Sequence, residues 1–127
     1  MKTTISGLSL LLSISFNTCN GQHTISYANS NIVKASELTL TSVKRGIQSK
    51  TGMIFIVEKN LRELTAYKNS IQQWRVDVIS ICGVPALGKP EIRYIRMDGD
   101  NIYVVFGKHS FANVGIMTGK VVFIGSD

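Results

Sequence analysis

The chain has 127 residues, a formal charge of +6, 44% hydrophobic and 17% charged residues, a balance that fits one small domain and excludes global disorder. The basic residues are scattered from Lys34 to Lys120 with no run that would make a tail, so they read first as a solvated surface, with anionic lipid or polysaccharide as the partner that such a charge would favour. No stretch after the N-terminus is long enough to span a bilayer as a helix, which needs about 20 apolar residues.

The first 21 residues read as a secretory signal. Lys2 gives the positive start, Leu8 to Phe16 the short apolar run, and Asn17 to Gln22 the polar end. Cys19 stands directly after the apolar run, and Thr18 to Gln22 (TCNGQ) resembles the lipoprotein signal ends common in Bacteroidota. The resemblance implies acylation at Cys19, a signal helix that is removed, and a soluble domain tethered to a membrane in the periplasm or at the outer membrane. Thr18 and Asn17 depart from the small residues usual before such a cysteine. Cys82 is then alone, in the apolar run Ile79 to Val84, where a thiol is expected as a small buried hydrophobe.

Residues 22–36 are polar and read as a linker or a loosely attached first strand. Residues 37–43 (ELTLTSV) alternate as a strand does, and 44–52 (KRGIQSKTG) read as a turn. Met53 to Val57 is a continuous apolar run that predicts a strand buried on both faces. Arg62 to Lys68 competes between helix and strand and is taken as strand; Asn69-Ser70 is a turn, and alternation resumes from Gln72 to Ile81. Residues 82–90 hold both prolines and two glycines and mark a connector. Glu91 to Arg96, Ile102 to Phe106, Ser110 to Ile116 and Lys120 to Ile124 follow as strands, with a hairpin turn at Asp98-Gly99-Asp100-Asn101 and another at Thr118-Gly119.

A spacing of 49 residues relates Met53 to Ile102, Tyr67 to Ile116 and Trp74 to Phe123. Such a period marks either a supersecondary unit used twice or two consecutive β-hairpins of similar spacing. Across residues 53–76 aligned with 102–125, Lys59 and Lys108 are the only identical pair; what repeats is the placement of turns and apolar runs. Leu64 to Val76 (LTAYKNSIQQWRV) resembles a blade of the quinoprotein-type (PQQ-like) β-propellers through Leu64, Ala66, Tyr67 and Trp74. Asn69-Ser70 replaces the usual Thr-Gly, and Lys68 stands in the place of an Asp. The second copy keeps Thr118-Gly119-Lys120 and has Phe123 for the tryptophan. The resemblance implies structural roles for Trp74, Phe123, Tyr67 and Gly119, and two blade-like units at about 37–81 and 91–127. A propeller needs at least about four blades, so two units alone do not close one.

Residues that carry chemistry are few. Asp98 and Asp100 lack the further ligands of a calcium loop, and His23 and His109 have no zinc spacing, so no metal and no cofactor is expected. A Cys82–His109 dyad with Asp98 or Asp100 would make a small hydrolase, but no local signature supports it. Tyr67, Trp74, Tyr94 and Tyr103 would make a sugar platform only if exposed, and their strand positions favour core packing. Lys89, Arg93, Lys108 and His109 remain as candidate binding residues at a loop end.

The sequence therefore predicts an all-β domain over 37–127: an antiparallel meander of about seven or eight short strands, arranged as a small sandwich, an open barrel or two blade-like units. The expected role is non-catalytic, a binding or scaffold module of the cell envelope for a protein or polysaccharide partner, not nucleic acid, with homo-oligomerisation through sheet edges. An incomplete propeller completed by a partner chain is the alternative.

Overall fold

A computed structural model describes residues 27–127; the expected signal segment, Cys19 and His23 lie outside the described residues. After a 3-10 turn at Asn29–Asn31, the elements are β1 (Ile32–Val33), β2 (Glu37–Thr39), β3 (Gly46–Gln48), β4 (Ile54–Val57), β5 (Glu63–Lys68), β6 (Ile71–Asp77), α1 (Val78–Cys82), β7 (Ile92–Asp98), β8 (Asn101–Phe106), β9 (Ser110–Gly115) and β10 (Val121–Ser126). They form two open five-stranded sheets, ordered β1-β3-β4-β5-β6 and β10-β9-β8-β7-β2. The fold is all-β and sandwich-like, as the alternating and apolar runs require.

Cross-strand register shows how the core is built. In the first sheet Ile47, Phe55, Ala66 and Trp74 stand in one row, and Val57, Leu64 and Val76 in the next. In the second sheet Leu38, Ile95, Val104, Ala112 and Phe123 form one row, and Met97, Ile102, Val114 and Val121 another. Apart from Phe123, which is about half exposed, these residues belong to one apolar cluster between the sheets, where most of the members are fully buried. Side chains of alternate residues point to opposite faces of a strand, so the remaining positions lie outside. On the first sheet these include Ile56, Thr65 and Tyr67, which are also buried. Tyr27 packs on Tyr67 with ring centroids 5.0 Å apart, and Ile32 closes over Gly46, where a Cβ would come within 2.7 Å of it. On the second sheet the outer row is Glu37, Arg96, Tyr103, Asn113 and Val122.

Four strands of each sheet are consecutive, β3–β6 and β7–β10, and shifting β4, β5 and β6 by 49 residues lands each on β8, β9 and β10. The shift does not preserve faces throughout. It pairs inward Phe55 with inward Val104, but inward Leu64 with Asn113 on the outer row. The β4–β5 turn spans more residues than the β8–β9 turn, which accounts for the change of face.

The chain enters by joining both sheets. β1 lies parallel to β3, and β2 pairs antiparallel with β7. Thus part of the expected linker is a strand of the first sheet, and the strand expected at 37–43 is shorter and belongs to the second. Two local expectations are corrected. The stretch 44–52 contains β3, and alternation after Trp74 stops at Asp77, where the chain turns into α1. The Asp77 carboxylate accepts the Ser80 backbone N–H at 2.9 Å, and Gly83 ends the helix at φ +94°.

Candidate functional site

One end of the sandwich gathers the β2–β3 loop, the β4–β5 turn, the connector between α1 and β7, and the β8–β9 turn around an open cleft of about 1200 Å³. Its walls carry Arg45, Lys59, Lys89, Arg93 and Lys108 against a single carboxylate, Glu91.

Each cation is placed by local backbone chemistry. Asn60 accepts the backbone N–H groups of Arg62 at 2.9 Å and Glu63 at 3.2 Å, which fixes the turn that bears Lys59. Leu61 in that turn has φ +60°, a conformation that costs an L-residue roughly 1–2 kcal/mol. It is held by its N–H to the Glu58 carbonyl at 2.9 Å and by its carbonyl, which accepts the Ile92 N–H at 2.7 Å. The connector lies directly on the β8–β9 turn: Lys108 donates to the Leu87 carbonyl at 2.9 Å and Gly107 to that of Glu91 at 3.0 Å. Gly88 and Gly107 allow this approach. A Cβ at Gly88 would sit 2.5 Å from the Lys108 nitrogen, and one at Gly107 would sit 2.6 Å from Pro85. On the far wall, Asn31 donates to the Val43 carbonyl at 2.9 Å and ties the 3-10 turn to the β2–β3 loop.

The two arginines are struts. Arg45, only 6% exposed, donates to the Val57 carbonyl at 2.7 Å and to Asn31 Oδ1 at 3.4 Å. Arg93 donates from Nε to the Gly107 carbonyl at 2.7 Å and from Nη2 to that of Lys108 at 2.6 Å. The lysines differ. Among the described residues no carboxylate lies within ion-pair distance of Lys59, Lys89 or Lys108; the two ion pairs are Arg62–Asp77 and Arg75–Glu63. Three lysines without an ion-pair partner among the described residues thus line a space braced by the hydrogen bonds of the arginines.

Of the residues singled out from sequence, Lys89, Arg93 and Lys108 meet in this cleft. His109 is exposed beside Lys108 on the same turn but outside the lining. Lys59 and Arg45 were not singled out. A signal for Lys59 existed: Lys59 and Lys108 are the one identical pair under the 49-residue shift, and both stand in corresponding turns on the cleft wall. Arg45 gave none, since its role depends on carbonyls distant in sequence.

The other chemistries weighed from sequence find little geometry. Cys82 ends α1, burial pushes its thiol pKa up, and among the described residues no hydrogen bond joins it to His109. A raised pKa disfavours the thiolate that nucleophilic catalysis requires. No three His, Cys, Asp or Glu side chains cluster to hold a metal among the described residues. Tyr67 and Trp74 are buried. Tyr103 is on the outer face of the second sheet, but the Arg96 guanidinium lies over its ring, 4.4 Å from the centroid, and the Phe111 ring stands 6.0 Å away and nearly parallel. The guanidinium takes a ring face that a sugar would need.

Comparison with known proteins finds no family model, no curated protein and no solved structure that matches the chain. The fold and the cleft define the class by themselves: a two-sheet β-domain with a cationic cleft framed by turns.

Proposed function

We propose that the chain is a non-catalytic binding module of the cell envelope whose cleft takes an anionic polymer, an acidic polysaccharide being the chemistry that fits best. The observation that carries this is that Lys59, Lys89 and Lys108, none with an ion-pair partner among the described residues, line an open cleft whose one acidic lining residue is Glu91. An extended polyanion suits such a site, because it meets several ammonium groups at once and needs no enclosed pocket. The placement in the envelope rests on the N-terminal pattern of Lys2, Leu8 to Phe16 and Cys19, with a membrane tether through Cys19.

The test is titration of the full chain with polygalacturonate, with a neutral glucan as control. Saturable binding that weakens steeply with salt is expected. A Lys59→Glu/Lys108→Glu variant should bind at least about tenfold more weakly with unchanged thermal stability. Equal binding of the glucan, or indifference to the double substitution, would falsify the reading.

A second reading, that the chain completes a larger propeller with partner chains, is favoured by one observation. The β10 strand ends its sheet with Val122, Phe123 and Ile124 each about half exposed, an edge to which a further strand can add.

A further inference from the structure

We infer that the end of the molecule opposite the cationic cleft binds a single-chain amphiphile with an anionic head group. At that end the β3–β4, β7–β8 and β9–β10 turns surround a hollow of about 990 Å³, within the roughly 300–1000 Å³ usual for small-ligand sites. Its floor is apolar and continuous with the core. Over the fully buried Phe55, Met53 lines it together with Met97 and Ile116, and Met117 stands at the lip, 75% exposed. Methionine side chains are flexible and polarisable and adapt to an irregular apolar guest. The rim is cationic. Lys34, Lys50 and Lys68 line the hollow without any acidic side chain in the lining, and among the described residues none of the three has a carboxylate within ion-pair distance. Asp98 and Asp100 belong to the adjoining β7–β8 turn and are not in the lining.

The combination selects the guest. A polysaccharide has no use for the methionine floor, and an uncharged alkyl chain has none for three lysines. A bilayer surface calls for a protruding apolar face, whereas this floor is recessed between turns. A free amphiphile uses both parts: its chain covers the floor and its carboxylate meets the lysines. The proposal is independent of the one for the cleft.

Trp74 is the only tryptophan of the chain and reports on the site. Its indole N–H donates to the carbonyl of Ile116, a floor residue, at 2.8 Å, and its ring lies 6.1 Å from that of Phe55. The experiment is titration of the full chain with dodecanoate below its micelle onset, followed by Trp74 emission and by calorimetry. A saturable change with one site is expected. Binding should tighten about tenfold from decanoate to dodecanoate. Decanol, lacking the charge, should bind more weakly than decanoate. Lys50→Glu/Lys68→Glu and Met117→Asp, all at exposed positions, should each weaken dodecanoate binding at least about fivefold, while Lys59→Glu/Lys108→Glu should leave it unchanged. The proposal is overturned by absence of saturable binding, by equal affinity for the two chain lengths, or by decanol matching decanoate. Attachment to phosphatidylglycerol vesicles without binding of the monomeric amphiphile also overturns it and assigns the lysines to a membrane surface.

Discussion

Trp74 and Gly119 show how much one contact between the sheets carries. Gly119 has φ +73°, and a Cβ there would lie 2.7 Å from Trp74 Cδ2. The ring is 8% exposed, so it has little room to retreat. Gly119→Ala combines a strained backbone with overpacking, and is expected to cost about 2–3 kcal/mol. Chemical denaturation should read this loss, and Trp74 emission should move to the red as the bond to the Ile116 carbonyl lengthens. An unchanged midpoint would refute the contact. Both residues were legible from sequence as structural types, but not as partners. Phe123 was expected to pack as Trp74 does. It faces inward, 6.3 Å from Phe106, yet stays 48% exposed because β10 has no strand beyond it. Local sequence does not tell an edge strand from a central one.

At the scale of elements, the strands that were readable are those whose side-chain pattern matches their burial. Glu63–Lys68 has residues that favour a helix, but both its faces are buried between β4 and β6, and pairing decides the outcome over propensity. β3 was hidden because its three residues sit in a polar, glycine-containing stretch; its strand character comes from β1 and β4 on either side. α1 was hidden by the apolar run Val78 to Cys82, although Asp77, Ser80 and Gly83 were the cap signals at its two ends. Asp77 gives that helix a dependence on pH. Partial burial acts to raise its carboxyl pKa, but hydrogen bonds from Ser80 and the charge of Arg62 outweigh burial and hold it below the usual value. A native value below the unfolded one means that the contribution is complete above the unfolded carboxylate pKa of about 3.9 and is lost as pH falls through the lowered native value. Asp77→Ala should cost about 1 kcal/mol at neutral pH. Asp77→Asn should keep most of the cap and flatten the loss of stability on acidification, as followed by thermal melts from neutral to acid pH. A steeper acid loss in the Asn variant would contradict the assignment.

The whole molecule is uneven in what it covers. The central strands of the first sheet, β4 and β5, are buried on both faces, with Tyr27 and Ile32 over the outer side, whereas β6 is exposed there. Among the described residues, the outer side of the second sheet carries the Arg96–Tyr103–Phe111 stack and Asn113, whose side-chain oxygen is buried without a hydrogen-bond partner. Beside it, β10 is the last strand of its sheet, with no strand paired to its outer edge among the described residues and α1 packed near it. Self-association is therefore expected through this edge, as light scattering across a concentration series would show, and Ile124→Lys should lower it by placing a charge there. A wild-type chain that stays monomeric at high concentration removes the edge as an interface. The cationic cleft was half visible from sequence, since Lys89, Arg93 and Lys108 lie near turns. What closed it was not visible: turns more than 40 residues apart, such as those of Lys59 and Lys108, converge only because the two meanders stack.

The short arm that carries β1 and β2 sets an order of events. β1 pairs with residues 14 positions later, Ile32 with Gly46, whereas β2 waits for a partner 55 positions later, Thr39 with Tyr94. The β1–β3 pairing can form while β2 has nothing to pair with, and the second sheet stays without its last strand until β7 is in place. Contacts so distant in sequence form slowly. The docking of β2 is then a late step, and it ties the arm to a second sheet that must already be stacked on the first to bury their common core.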